Sequence, residues 1–329
     1  MDFMLDITIK SPERRISYTD NIFATGSCFT EHIGGRLDQL KFFVLQNPNG
    51  ILFDPLSICR TLTSYVQNKK YSKEDLFQLN ELWQSWQHHS VFSGPDQQQV
   101  LHHINRSQES AYTFLQKADW LIITLGSSFY YQFADTNESV ANCHRAPAKW
   151  FRKELTSIDE MVLSFNNCFL ALFQFNPQLK IIFTVSPVRH IRDGVIENNR
   201  SKARLIETVH QLVAASDRMY YFPAYELVID VLRDYRFYDI DLVHPNYAAT
   251  EFVFEKFVEH FISKEDIPVM EEIKDIVRAF KHKPFQPSTH AHRKFMESYL
   301  SKIKHFQQRH PGIDVSKEAI YFSKGTESK

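Results

Sequence analysis

Short, nearly unbroken apolar runs alternate with longer stretches of helical period over about the first 260 residues. The runs at 22–25, 42–45, 120–125, 180–185 and 219–222 are rich in Ile, Val and aromatic residues. Continuous runs, rather than strict apolar–polar alternation, predict parallel strands covered on both faces. Between them, Leu205, Val209, Leu212 and Val213 fall on one face of a helix. Phe295, Tyr299, Ile303 and Phe306 repeat that spacing near the C-terminus. Further helices are expected over 30–40 and near 225–235. Strand and helix in succession predict an α/β layered fold built on a parallel sheet.

Two segments break the rhythm. Residues 68–118 form an expected insertion between the second and third strands, carrying Trp83, Trp86, His88 and His89. Residues 264–329 are expected as a C-terminal helical appendage with a polar tail, 323–329, that frays. The expected division is therefore a main domain, 1–263, with the 68–118 insertion, followed by the appendage. Residues 274–310 hold nine Lys/Arg against two Asp/Glu. That excess fits a solvated helical face, or a surface for an anionic partner.

Composition narrows the class. With 43% hydrophobic residues the chain can bury a sizeable core, and its net charge of −1 gives no global field for nucleic acid or an anionic membrane. Four cysteines (Cys28, Cys59, Cys143, Cys168) form no CxxC pair and are too few for a disulfide framework. The first residues carry acids and lack an uninterrupted apolar stretch, so no secretory signal is expected. No run approaches the ~20 apolar residues of a membrane helix. The expectation is a cytoplasmic, reduced protein. Glycine is scarce, nine in 329 residues where about 7% is usual, so each one points to a place where the backbone needs it.

In open parallel sheets ligands bind beyond the carboxyl ends of the strands, so the residues after each run matter most. Gly26-Ser27-Cys28-Phe29 follows the first and leads into a helix. A serine there can act as a nucleophile, with helix N-terminal N–H groups to hold an oxyanion; it can also simply cap the helix. Asn47-Pro48-Asn49-Gly50 follows the second run, Gly126-Ser127-Ser128 the third, and Ser186-Pro187-Val188-Arg189-His190 the fourth. Asp241-Leu242-Val243-His244-Pro245 comes later. An Asp three residues before a His can fix the imidazole tautomer and leave Nε2 to deprotonate a serine. Arg189 could contact substrate, taking a carboxylate or phosphate in a bidentate pair, or pair with Asp193. His190, Asn142 and His144 are candidates for the same pocket. Cys28 is an alternative nucleophile, since a helix N-terminus lowers a thiol pKa. The pairs His88-His89 and His102-His103 have no Cys or carboxylate at ligand spacing, so no metal and no other cofactor is expected.

These motifs resemble the GSCFA family, whose name spells the Gly26-Ser27-Cys28-Phe29 signature; Thr30 replaces its usual alanine. Asn47-Pro48-Asn49-Gly50-Ile51-Leu52, Val140-Ala141-Asn142-Cys143-His144, Thr184–His190 and Arg233–Tyr238 are similar to it as well, covering about residues 20–260. The resemblance implies a three-layer α/β/α, flavodoxin-like fold of the SGNH/GDSL hydrolase type. It implies Ser27 as nucleophile with Asp241 and His244, and Gly50 as an oxyanion glycine. The Gly-x-Asn expected after the third strand is replaced by Gly126-Ser127-Ser128, so Ser128 or Asn142 would have to donate instead, or the hole has two donors. The implied activity is hydrolysis of an ester, such as an acyl or acetyl group on a carbohydrate or small metabolite. Acyl transfer would use the same residues, and a non-catalytic ligand-binding module is the alternative class.

Overall fold

The computed structural model describes residues 4–324. The chain opens with β1 (Asn21–Gly26), α1 (Phe29–Gln39), β2 (Phe43–Gln46) and α2 (Pro55–Val66). A hairpin of β3 (Phe77–Leu79) and β4 (Leu82–Gln84) precedes α3 (Gln97–Leu115) and β5 (Trp120–Leu125). A second excursion, β6 (Phe129–Phe133), β7 (Ser139–Val140) and β8 (Phe151–Leu155), leads into α4 (Ile158–Phe175) and β9 (Lys180–Val185). Next come α5 (Val195–Ala214), β10 (Met219–Phe222) and the short α6 (Ala224–Glu226), which runs on as a π-helix over Leu227–Leu232. The described chain ends with α7 (Tyr247–Phe261), α8 (Ile267–Lys281), α9 (His290–Arg309) and α10 (Ser316–Lys324).

Five strands form one parallel sheet in the order β10-β9-β5-β1-β2. Counting only these strands along the chain, the order is 2-1-3-4-5, the flavodoxin-like arrangement. Its centre is apolar throughout: every residue of β5 is buried. Alternate side chains enter two cores. Ile22, Trp120, Ile122, Ile182 and Phe222 pack with α1, α7 and the C-terminal helices. Phe23, Leu121, Ile123, Ile181 and Phe183 pack with α2, α3, α4 and α5 on the other face.

The segment 68–118 is only partly an insertion. Its hairpin lies outside the main sheet, but α3 buries Ala111 and Leu115 in the second core, as a crossover helix does. The β6–β8 excursion was not foreseen in the sequence. It meets the hairpin in an aromatic cluster: Trp86 stacks on Phe77 with centroids 3.5 Å apart and meets the edges of Phe133 and Phe151 at 5.1 and 5.8 Å. The C-terminal helices are built into the body. Met270, Ile273, Ile276, Met296, Ile303, Phe306 and Phe322 belong to the same core as the sheet, and Lys41 pairs with the buried Glu318 at 2.7 Å. Of the expected fraying tail, Ser323 and Lys324 close α10, and 325–329 lie outside the described residues. Among the described residues no helix is long and apolar enough to cross a membrane.

Candidate active site

The turn after β1 is forced by contact with its neighbour. Gly26 has φ +135°, and a Cβ there would sit 2.1 Å from the Thr124 carbonyl oxygen. Ser27 N–H donates to that oxygen at 2.9 Å, and Ser27 C=O accepts from Thr30 N–H at 2.9 Å. The residue is 1% exposed, and its hydroxyl has no hydrogen-bond partner among the described residues. It is therefore not a helix cap: Cys28 holds the N-cap position of α1, with no side-chain capping bond. Ser27 lies where β1 meets β5, between the strands at which the sheet order reverses, the usual place for a ligand in this topology.

Two loops close round it. Asn47 Oδ1 accepts from Gly26 N–H at 3.0 Å, and Leu52 N–H donates to Gly26 C=O at 2.9 Å. The Phe53 carbonyl takes both Gly126 N–H and Ser127 N–H, at 2.9 and 3.0 Å. A Cβ on Gly126 would stand 3.2 Å from Ser27 Cβ. So Ser27, Phe53 and Gly126 are neighbours, drawn from the ends of three segments.

The donors named from sequence for an oxyanion hole are engaged elsewhere. Gly50 N–H closes its own turn on Asn47 C=O at 2.7 Å. The fully buried Ser128 gives its hydroxyl to Ser201 C=O at 3.1 Å. Asn142 holds His144 N–H through Oδ1 at 2.8 Å, while its own N–H reaches Trp86 C=O at 3.3 Å. His144 bonds through Nε2 with Ser85 C=O at 2.8 Å and sits against Trp86 and Phe77. Asn142 and His144 thus tie the two excursions together instead of contacting Ser27. The reason is the unforeseen β6–β8 sheet, which carries their loop onto the hairpin. At the start of α1, Thr30 and Glu31 N–H are taken by Ser27 and Cys28 C=O. The N–H groups of Cys28 and Phe29 meet the Cys28 sulfur.

His244 is held by its own loop. Asp241 Oδ2 lies 2.6 Å from His244 Nδ1, while Oδ1 accepts from Val243 and His244 N–H at 2.9 and 3.0 Å. These bonds, the backbone ones first, hold the Asp241 carboxyl down at about 2. Leu242 takes the left-handed backbone, φ +59°, that the turn needs. A charge on His244 would disfavour one on His32 of α1 or on His190 after β9. No hydrogen bond joins Ser27 Oγ to the imidazole. His190 lies edge-on to Phe53 at 5.6 Å, and burial pulls it down to about 4. Arg189 does not pair with Asp193, which Lys153 takes. Its guanidinium lies over Tyr238 at 4.3 Å and Tyr235 at 5.2 Å, and donates to Leu242 C=O at 3.3 Å. The Cys28 thiol is pushed up by burial, against the lowering expected of a helix N-terminus.

One residue of this region escaped the sequence reading. Lys202 of α5 is fully buried and donates through Nζ to Gly126 C=O and Ser186 C=O, both at 2.6 Å. It pins the ends of β5 and β9 behind the Ser27 turn. The available signal was the polar N-terminal end of α5's buried face, Asn198, Ser201 and Lys202, leading into Leu205, Val209 and Leu212. Burial brings Lys202 from 10.5 down to about 7. Between those two values the unfolded chain binds a proton that the folded chain does not, so stability rises with pH there, by about 1.4 kcal/mol per unit. Lys202→Met should remove that slope. Urea denaturation of both proteins at several pH values across the interval checks it, and parallel stability profiles would refute it.

Residues 21–257 match the family model described as "GSCFA family". The chain belongs to the GSCFA family. Residues 273–328 match a second model, "GSCFA domain protein, C-terminal domain", so the family's C-terminal part takes in most of α8 and all of α9 and α10. No curated protein matches the sequence significantly. Among solved structures, a carbohydrate esterase of family 3 from Talaromyces cellulolyticus is similar at 11% identity and a TM-score of 0.36, over 78% of this chain and 99% of that one.

Proposed function

We propose that this GSCFA protein is a serine esterase, cleaving an acyl group from a carbohydrate or a small metabolite. What supports this reading is the Asp241–His244 pair, with Nδ1 already engaged at 2.6 Å, together with a buried serine hydroxyl at the sheet's switch point that has no hydrogen-bond partner among the described residues. In the proposed reaction, substrate binding brings His244 Nε2 onto Ser27 Oγ; catalytic hydrogen bonds often tighten only in the complex. Ser27 Oγ attacks the ester carbonyl, and its proton passes to Nε2. The tetrahedral intermediate collapses, the alcohol leaves with that proton, and the acyl group stays on Ser27. Water then attacks, giving its proton to His244, and the acid departs as Ser27 recovers its proton. The oxyanion would be held by the N–H groups of Cys28 and Phe29 at the positive end of α1, which would have to turn from the Cys28 sulfur they meet in the free protein. An alcohol in place of water turns the same steps into acyl transfer.

A second reading, a ligand-binding module without turnover, is favoured by the engaged Gly50 N–H and Ser128 hydroxyl. A fluorophosphonate probe separates the two. The esterase reading expects one adduct mass on Ser27, absent in Ser27→Ala and formed more slowly in His244→Ala. No adduct, together with no hydrolysis of short p-nitrophenyl esters, would leave the binding module.

A further inference from the structure

Behind the His244 loop is a cavity of about 250 Å³ lined by Arg189, Ile229, Asp230, Arg233, Asp234, Tyr235 and Tyr238. It is joined to that loop by backbone. Arg189 N–H donates to Val243 C=O at 3.3 Å, and Tyr238 bridges to Pro245 across the turn. Its charges are unevenly paired. Asp234 is held by Arg236, through the N–H at 2.8 Å and the guanidinium at 3.1 Å. Among the described residues neither Arg189 nor Arg233 has a carboxylate within ion-pair distance. Arg189 and the exposed Arg233 therefore line the cavity against one unpaired acid, the exposed Asp230. Tyr238 is 7% exposed, and its hydroxyl has no partner among the described residues. Buried polar groups of this kind normally find one.

The backbone is unusual at the same place. The π-helix Leu227–Leu232 carries Ile229 and Asp230, and Arg233 ends it in the left-handed conformation, φ +42°. π-helical turns and left-handed non-glycine residues concentrate at functional sites. Glycine or asparagine would take this position with less strain; this chain has an arginine there, in the cavity wall.

We propose that this cavity is a subsite for an oxyanion, a carboxylate or a phosphate, carried by the alcohol part of the substrate. Arg189 and Arg233 supply charge-assisted donors, and Tyr238 a third. The volume suits one small ring or its anionic substituent rather than a drug-sized ligand. The proposal rests on the esterase reading only for what reacts at Ser27; the binding itself does not need turnover.

The test therefore uses the full chain with Ser27→Ala, which binds without reacting, and titrates it calorimetrically with glucuronate, inorganic phosphate and glucose. At least one anion should bind, glucose should not, and added NaCl should weaken the binding. Adding Arg233→Gly should weaken anion affinity about tenfold or more, while the melting temperature stays level or rises, because glycine accepts the left-handed backbone without strain. A residue with a merely structural role would not separate the two in this way. Anion affinity unchanged by Arg233→Gly, glucose binding as well as glucuronate, or no anion binding at all would each overturn the proposal. Anion binding without fluorophosphonate labelling would keep the subsite and remove the esterase. Labelling without anion binding would do the reverse.

Discussion

Asparagine at Asp241 is expected to lower kcat on a short p-nitrophenyl ester by roughly 10⁴-fold, with the fold unchanged. Asp241 accepts from Nδ1 and from two backbone N–H groups, so it both shapes the turn and sets the imidazole. An amide of the same size keeps the turn, because its carbonyl oxygen can still accept from Val243 and His244 N–H. The group facing Nδ1 is then NH₂, which donates. Nδ1 must become the acceptor, the ring proton moves to Nε2, and the nitrogen that would take the Ser27 proton in the proposed reaction is blocked. The carboxylate that compensates the imidazolium is lost as well. Both side chains are about half exposed, so little packing depends on them. Kinetics beside a thermal melt check the prediction. A drop below tenfold would remove Asp241 from the mechanism, and a collapse in melting temperature would make it structural.

The second large effect is on the fold. Gly26→Ala is expected to cost about 3–5 kcal/mol, enough to consume much of a typical domain's stability. The new methyl would stand 2.1, 2.8 and 2.9 Å from the carbonyl oxygen, carbon and nitrogen of Thr124. None of these is the far end of a flexible side chain, and φ +135° is itself a conformation L-residues avoid. Relief requires moving β1 away from β5, which breaks the bond from Ser27 N–H to Thr124 C=O and displaces Ser27. Gly35→Ala is the control: nothing lies within 4 Å of its added Cβ, and it sits inside α1. It should be neutral or stabilise by about 0.5–1 kcal/mol. Urea denaturation of the two variants checks both signs, and an unfolding free energy for Gly26→Ala within about 1 kcal/mol of the parent would refute the steric account.

Separation along the chain decides how much of this is legible in the sequence. The five sheet strands are visible because each is buried on both faces, and the predicted runs fall within a residue or so of β1, β2, β5, β9 and β10. The contact between Asp241 and His244 is visible because it is local, set by a three-residue spacing. The Ser27 turn is visible because only glycine fits before it. Partners distant in sequence are not visible. Whether the Ser128 hydroxyl is free depends on Ser201, 73 residues away, and no local pattern announces that bond. The β6–β8 excursion escapes because its short strands are only half buried, and their aromatic rings pack on Trp86, which follows the earlier hairpin. Helical period locates α8–α10 but not the surface they cover, so they read as an appendage while they complete a core.

That core has a consequence during synthesis. One face of the sheet, with Ile22, Trp120, Ile122, Ile182 and Phe222, is sealed in part by side chains from 270 to 322. At about 5–20 residues per second, a ribosome that has just made β10 needs roughly 5–20 s to reach α10. Through that interval the nascent sheet carries an incompletely covered apolar face. The regions matched by the two family models, 21–257 and 273–328, thus share one core, and that face of the sheet is fully covered only once the last helices have emerged.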